Sequence, residues 1–222
     1  MNRVFRLAVL ASGRGSNLAA LIAAQKQARL AVRFVGVFSD KPDSGAIALA
    51  KEHGIHGFVR RPRDFADRSA YDESLFNAVA DVQPDLIVCA GYMRLISPEA
   101  VRRFEARMIN IHPSLLPKYP GLDTHARALA AGDAEHGASV HVVTPELDGG
   151  PVLAQVRMPL LAGDTAESVA RRLLAREHPL LVQSVRAISE GRAQLGAQRI
   201  QYDGRWLERP LQLDERDELR LV

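Results

Sequence analysis

The sequence predicts an α/β fold, namely a Rossmann-like, mostly parallel sheet with helices on both faces. Short apolar strands alternate with helical segments, which is typical of βαβ units. The predicted strand 86–90 is apolar at every position, as expected where a parallel sheet is covered on both faces. At 222 residues with 47% hydrophobic content, the chain can bury one substantial core. We therefore expect a single domain over residues 1–222, with halves at about 1–108 and about 109–190 and an appendage at 191–222.

Apolar runs predict the strands of the first half, and apolar positions at helical spacing predict its helices. The expected strands cover 7–11, 32–38, 57–59 and 86–90, and the expected helices cover 18–27, 45–53 and 68–82. In the third helix, Leu75, Phe76 and Val79 form the side that faces the core. A fifth strand at 108–112 ends at Pro113. Beyond it we expect a helix at 124–131, strands at 139–143 and 152–158, a long helix at 165–190 and a hairpin at 200–207.

Charge and cysteine content narrow the class of protein. The formal net charge is +3, from 29 basic and 26 acidic residues, which is too balanced for a dedicated nucleic-acid binder and suits small anionic ligands. Cys89 is the only cysteine and lies in an apolar strand, so we expect a core residue and a reducing compartment. No apolar run approaches the roughly 20 residues of a membrane span, and a signal peptide is not evident. We expect a cytoplasmic protein, a monomer or homodimer, with no nucleic-acid or membrane partner.

A glycine-rich turn, SGRGSN at 12–17, joins the first strand to the first helix. Backbone amides at such a helix N-terminus point outward and suit a phosphate, with Gly15, Ser16 and Asn17 as the natural contacts. The turn is neither a G-x-G-x-x-G motif nor a Walker loop. Alone it has a structural alternative, in which Ser16 or Asn17 simply caps the helix.

The fifth strand and a later loop offer an amide, an imidazole and a carboxylate to one reaction. Asn110 and His112 alternate on the strand and so share a face, at a carboxyl end where open α/β sheets place ligands. Asp148 lies in a loop between two expected strands. When an amine attacks a carbonyl, Asn110 and protonated His112 could donate to the oxyanion, while Asp148 orients His112 and relays the amine's proton. The trio therefore favours acyl transfer without a covalent enzyme intermediate.

Each member of the trio also has a structural explanation, since a histidine at a strand end is often merely hydrogen bonded. Ser114 is a possible nucleophile, but it lacks a strand-turn-helix elbow and more naturally shapes the turn. His141 could join a network behind Asp148 or be a satisfied buried histidine. The histidines lack the close ligand pairs of a zinc site, so we predict no metal.

Four motifs in order resemble the folate-dependent phosphoribosylglycinamide formyltransferases of purine synthesis. They are SGRGSN at 12–17, AGYMRLISP at 90–98, NIHPSLLPKYPG at 110–121 and GASVHVVTPELDGGP at 137–151, so the resemblance spans nearly the whole chain. Family members are one-carbon transferases that use 10-formyltetrahydrofolate as co-substrate and glycinamide ribonucleotide (GAR) as acceptor. By this resemblance residues 1 to about 108 form the nucleotide- and phosphate-binding half, and residues from about 109 to 190 form the catalytic and folate-binding half.

The resemblance also implies a role for individual residues. Asn110, His112 and Asp148 would be catalytic. GAR would be bound by Gly15, Ser16, Asn17, Leu174, Ala175, Arg176 and Glu177, with Glu177 on the ribose hydroxyls. The folate would contact Arg68, Met93, Arg94, Leu95, Ile96, Asn110, Thr144, Pro145, Glu146, Leu147 and Asp148. Physical chemistry agrees, because Met93, Leu95 and Ile96 offer an apolar wall for a flat pterin, and the two arginines could meet the carboxylates of the folate tail.

Other functions remain as alternatives at this point. A 10-formyltetrahydrofolate hydrolase would carry a regulatory domain before the catalytic part, and a methionyl-tRNA formyltransferase would need a further domain after it. Both are disfavoured by the length of the chain. An alternative of another class is a nucleotide-binding α/β module without chemistry, in which the trio is structural.

Overall fold

The computed structural model describes residues 3–221, and its contacts divide the chain into two compact units between Asn110 and Ile111. In the first unit the strands are β1 (Phe5–Leu10), β2 (Val32–Ser39), β3 (Gly57–Val59), β4 (Leu86–Cys89) and β5 (Met108–His112), whose last two residues belong to the second unit. The helices are α1 (Ser16–Lys26), α2 (Gly45–Glu52), α3 (Arg68–Asp81) and α4 (Pro98–Arg103), with a 3₁₀ turn at Pro62–Asp64.

The strands of the first unit lie in the order β5-β4-β1-β2-β3 and pair in parallel. This is the order of a nucleotide-binding Rossmann sheet, in which the order of the strands reverses between β1 and β4. All four residues from Leu7 to Leu10 are fully buried, and every residue of β4 is buried, so both faces of these strands are covered. Leu75, Phe76 and Val79 of α3 are buried as predicted. The predicted α/β class with a mostly parallel sheet is confirmed.

The second unit contains the helices α5 (Thr124–Ala130) and α6 (Ala166–Ser189) and the strands β6 (Glu135–Val142) and β7 (Val152–Pro159), which pair antiparallel. Its short strands are β8 (Ala193–Gln194), β9 (Gln201–Tyr202), β10 (Arg205–Trp206), β11 (Leu211–Leu213) and β12 (Leu219–Arg220). β11 pairs in parallel with β7 and antiparallel with β12. Part of the expected appendage at 191–222 therefore extends the sheet of this unit. The predicted organisation as a single domain stays a prediction.

Two further features of the fold concern the Cys89 thiol and the length and apolar character of the helices. Cys89 is buried in β4, and burial raises the pKa of its thiol to about 12, as expected for an unreactive core residue. Among residues 3–221, no helix combines the length and apolar character that crossing a membrane would require.

Candidate active site

The glycine-rich turn leaves the N-terminus of α1 open. The helix is capped by Gly15, at a φ of 83°, and no side chain makes a cap hydrogen bond. A Cβ on Gly15 would lie 2.9 Å from Ala46 Cα, so both the backbone conformation and the packing require glycine. The structural alternative, in which Ser16 or Asn17 caps the helix, is wrong because both residues already lie inside it. The first amides of α1 thus keep their capacity to bind an anion.

Asn17 adds a polar group to this turn. The side chain is buried, and its Oδ1 atom has no hydrogen-bond partner within the described residues. A buried polar atom without a partner is costly unless a ligand or water completes it. The turn that the sequence marks for phosphate therefore carries an unsatisfied acceptor as well as open amides.

Ser12 connects the glycine-rich turn to the loop that follows β4. Its backbone N–H donates to the Gly91 carbonyl at 3.1 Å, and its hydroxyl accepts from the Met93 N–H at 3.1 Å. These two loops flank the point where the sheet order reverses, which is where ligands bind in open α/β sheets. The predicted phosphate turn and the predicted folate loop are therefore neighbours within the first unit.

The loop after β4 exposes apolar side chains to solvent. Met93 is 70% exposed and Leu95 is 58% exposed, whereas Ile96 is half-buried. Large apolar side chains clustered in solvent commonly mark a binding surface. The Ser97 N–H donates to Asp72 Oδ2 at 2.8 Å, which fixes the end of this loop on α3. The apolar wall predicted for the pterin is thus attached to α3 at one end.

Two tyrosines fix the middle of the same loop. The Tyr92 and Tyr71 hydroxyls lie 2.9 Å apart, and the Arg94 guanidinium lies 5.1 Å from the centre of the Tyr71 ring. Burial raises the pKa of both phenols, so both stay neutral at physiological pH. Arg68, the first residue of α3, is exposed, with its Nε 3.8 Å from Asp72 Oδ2. Both arginines of the predicted folate set therefore lie around α3 and this loop.

In the second unit, His112 and Asp148 come together as predicted. His112 Nδ1 lies 3.4 Å from Asp148 Oδ2, and the histidine is only 5% exposed. Asp148 adopts a left-handed conformation, with φ at 50°, and its Oδ2 accepts the Gly121 N–H at 2.8 Å. Burial of the carboxyl opposes its ionisation, but hydrogen bonds from His141 and Gly121 and the charge of His112 outweigh burial and lower the Asp148 pKa. Asp148 is therefore a carboxylate near neutral pH.

The hydrogen bonds of His112 restrict where its protons can sit. Nε2 lies 2.9 Å from the Tyr119 carbonyl, which can only accept, so Nε2 carries a proton. Nδ1 faces the Asp148 carboxylate, which also accepts, so this contact is favourable only when Nδ1 is protonated too. Burial lowers the His112 pKa, while Tyr119 and Asp148 oppose that effect. The pair is therefore suited to exchange a proton between Asp148 and His112 Nδ1.

His141 approaches Asp148 from the other side. Its Nε2 lies 3.5 Å from Asp148 Oδ1, and its Nδ1 lies 3.0 Å from the Val142 carbonyl. The His112 and His141 rings meet edge to face, with centroids 6.5 Å apart. His141 is thus a buried, hydrogen-bonded histidine that also belongs to the network around Asp148, so the two explanations open from the sequence are compatible.

The strand β5 has the bounds that the sequence predicts, Met108–His112. Asn110 and His112 are two residues apart on it, so their side chains leave the strand on the same side. Asn110 is half-buried, whereas Ile109 and Ile111 are buried. The amide and the imidazole are thus presented by consecutive positions on one face of the strand.

Ser114 and the turn after β5 belong to a buried polar network. The Ser114 hydroxyl donates to the Lys118 carbonyl at 2.6 Å, which supports its role in shaping the turn. Ser139 donates to the Ser114 carbonyl at 2.7 Å and accepts the Leu116 N–H, and Gln155 donates to both Leu116 O and Ser139. Sequence analysis missed Ser139 and Gln155, because polar residues in a strand carry no signal of which backbone groups they satisfy.

The remaining predicted contacts lie in the second unit. Pro145, Glu146 and Leu147 are exposed in the loop before Asp148, and Thr144 Oγ1 lies 3.4 Å from the Glu146 carbonyl. The segment 174–177 lies inside α6, with Leu174 and Glu177 half-buried and Ala175 exposed. Pro179 cannot donate to the carbonyl four residues earlier, so Ala175 O lacks its helical donor. Arg176 pairs with Asp217 at 2.7 Å, so its guanidinium already has a partner.

Comparisons with known proteins identify the family. A model of the formyl transferase family matches residues 5–185. The chain belongs to the formyl transferase family. It is 42% identical to the phosphoribosylglycinamide formyltransferase of Escherichia coli (strain K12), over 90% of this chain and 95% of that protein. It is 41% identical to the enzyme of the same name from Mycobacterium tuberculosis, over 83% of this chain and 85% of that protein.

Solved structures of formyl transferases agree. The phosphoribosylglycinamide formyltransferase of Coxiella burnetii, in complex with CHES, matches with a TM-score of 0.88 and 38% identity over 92% of this chain and 96% of that chain. A formyltetrahydrofolate deformylase from Pseudomonas syringae matches with a TM-score of 0.83 but 26% identity, over 90% of this chain and 66% of that chain. The resemblance drawn from the sequence motifs is confirmed.

His136 gives this formyl transferase an acid-sensitive element. The side chain is 1% exposed, and its Nε2 lies 3.0 Å from His125 Nδ1. Burial, followed by the charge of His125, lowers the His136 pKa from 6.5 to about 4. Below pH 6.5 the unfolded chain binds a proton that the folded chain refuses until about pH 4, so stability falls as pH falls through this window.

We expect this histidine to account for about 3 kcal/mol of unfolding free energy lost across that window. Denaturant unfolding of wild type and His136→Ala at several pH values measures it, with the exposed His56→Ala as control. The His136 variant should be less stable at high pH but lose less stability on acidification. Parallel pH dependences for wild type and the His136 variant would contradict the assignment.

Proposed function

We propose that this chain transfers the formyl group of 10-formyltetrahydrofolate to the glycine amine of GAR, giving formylglycinamide ribonucleotide in purine biosynthesis. The observation that carries the proposal is the buried His112 and Asp148 pair, with Nδ1 and Oδ2 3.4 Å apart, at the end of a strand that also bears Asn110. Membership of the family, and relatives at about 40% identity that bear the phosphoribosylglycinamide formyltransferase name, support it.

In the proposed reaction the GAR amine attacks the formyl carbon directly. A C–N bond forms to the amine, the carbonyl oxygen becomes an oxyanion, and Asn110 and protonated His112 donate to it. The intermediate then collapses, the bond from the formyl carbon to N10 of the folate breaks, and the amine's proton passes to N10. Asp148 moves that proton, directly or through water, and its charge favours the protonated form of His112. No covalent enzyme intermediate and no metal are required.

The two substrates have distinct sets of contacts in this proposal. The open amides of Gly15, Ser16 and Asn17 bind the GAR phosphate. The segment 174–177 binds the GAR ribose, where Glu177 accepts from the hydroxyls. The exposed Met93 and Leu95, with Ile96, cover the pterin, and Arg68 and Arg94 bind the folate carboxylates. The loop 144–148 completes the folate contacts.

Hydrolysis of 10-formyltetrahydrofolate is the competing function, since water could replace the amine at the same trio. The matching deformylase is more distant in sequence, at 26% identity, than the matching transferases. We therefore favour transfer to GAR. We further propose that the enzyme acts on these small molecules in the cytoplasm, as a monomer or homodimer.

An absorbance assay of folate product release, run with and without GAR, tests this function. We expect release only when GAR is present. Release at the same rate without GAR would replace the proposal with a hydrolase. No release under either condition would leave a binding module.

A further inference from the structure

A cleft beside the glycine-rich turn is lined by an excess of cations. It has a volume of about 690 Å³ and lies between the glycine-rich turn, the loop after β2 and the 3₁₀ turn. Its basic residues are Arg14, Lys41, Arg61 and Arg63, and its acidic residues are Asp40 and Asp43. These give a formal excess of two positive charges in a protein whose net charge is only +3.

Most of these cations have no ion-pair partner within the described residues. Arg61 pairs with Asp64 at 2.7 Å, but Arg14, Lys41 and Arg63 form no ion pair within the described residues. All three side chains are exposed. Unpaired cations around a concave surface produce a positive potential in the cleft, which raises the local concentration of anions.

The walls of the cleft are in direct contact with the glycine-rich turn. The Ala46 N–H donates to the Gly13 carbonyl at 3.2 Å, and a Cβ on Gly45 would lie 2.5 Å from the Arg14 carbonyl. The lining residues Ser12, Gly13 and Arg14 lead directly into Gly15 and the uncapped N-terminus of α1. An anion drawn into the cleft therefore arrives next to the open amides of α1.

Two carboxylates of the cleft oppose the binding of anions within it. Asp40 is 8% exposed, and its Oδ1 has no hydrogen-bond partner in the part of the chain that the structure describes. Asp43 adds a second, exposed carboxylate at the rim. These negative charges repel a phosphate at close range, while the more numerous cations attract it at longer range.

We propose that this cationic cleft captures the phosphate dianion of the nucleotide substrate and passes it to the glycine-rich turn. This rests on the proposed function. Arg14, Lys41 and Arg63 act on association, and the amides of α1 hold the bound phosphate. The cations thus determine how fast a phosphorylated acceptor is bound, and they favour phosphorylated over unphosphorylated acceptors.

The test measures kcat/KM for GAR at saturating 10-formyltetrahydrofolate over a range of salt concentrations. The double variant Lys41→Gln/Arg63→Gln should lose about 10-fold at about 0.1 M salt, where charges act over about 10 Å. The difference should vanish near 1 M salt, where the Debye length is about 3 Å. Asp43→Asn should change kcat/KM in the opposite direction, with a gain of about 2-fold at low salt.

A matched control is the double variant Arg29→Gln/Arg33→Gln. It removes the same charge from exposed residues of the same unit, but at the opposite end of β2, where Arg33 lies about 20 Å along the strand from Ser39. Equal losses in both double variants would overturn the proposal, because net charge alone would then explain them. Salt-independent losses, or an Asp43→Asn variant that falls with the others, would overturn it too. Absence of GAR-dependent turnover in wild type would instead refute the proposed function.

Discussion

Replacing Asp148 with Asn is expected to lower turnover by about 10³ to 10⁴-fold while leaving the fold intact. An amide cannot take up the amine's proton, and it cannot stabilise a second proton on His112 Nδ1, which lies 3.4 Å from the carboxylate. Asn tolerates the left-handed backbone at this position and can still accept the Gly121 N–H. The change should therefore impair catalysis while leaving the local structure in place.

Steady-state turnover and thermal unfolding of Asp148→Asn measure this prediction. The matched control is Asp203→Asn, because Asp203 has a similar φ of 48° and pairs with Arg192 on the surface. We expect the control to keep nearly all turnover. An Asp148 variant with wild-type turnover would remove this carboxylate from the mechanism.

Replacing His112 with Ala is expected to lower turnover by about 10² to 10³-fold, chiefly in kcat. The variant loses a donor to the oxyanion, and it leaves Asp148 without one of its two histidine neighbours. It also leaves a small cavity, since the ring is buried, so some loss of stability should accompany the loss of activity.

The pH dependence of kcat/KM separates the loss of catalysis in His112→Ala from its loss of stability. In wild type it should report the coupled ionisation of His112 and Asp148, and in His112→Ala that ionisation should disappear. His136→Ala is the matched control, because it truncates another buried histidine of the same unit without touching Asp148. If the control loses as much turnover as His112→Ala, the loss comes from the damage of truncating a buried ring.

Much of the fold can be predicted from the sequence, because its strands are short, apolar and bounded by turn residues. The bounds of β3 and β5 match the prediction, and those of the other predicted elements differ from it by a few residues at their ends. α4 was not predicted, since six residues are too few to show a helical period, although Ser97 and Pro98 are typical of a helix start. The two- and three-residue strands after Gly191 were missed for the same reason, apart from the hairpin at β9 and β10.

The candidate site, like the fold, can be predicted only in part from the sequence. The side chains of the trio have a chemical signature in the sequence, and His112 and Asp148 lie together as that signature implies. The Tyr119 carbonyl, which fixes the proton on His112 Nε2, has no signature, because every residue has a carbonyl. The cation cleft could not be seen either, since it joins residues from three loops that only the fold brings together.

A labelled formyl carbon shows directly whether the enzyme transfers the formyl group to GAR. 10-Formyltetrahydrofolate carrying ¹³C in its formyl group would be incubated with GAR and enzyme, and the products read by NMR and mass spectrometry. We predict that the label appears in an amide of the nucleotide, and that the rate of its transfer is much lower in Asp148→Asn. Label recovered as formate, with the nucleotide unchanged, would mean that the enzyme hydrolyses 10-formyltetrahydrofolate and does not transfer its formyl group to GAR.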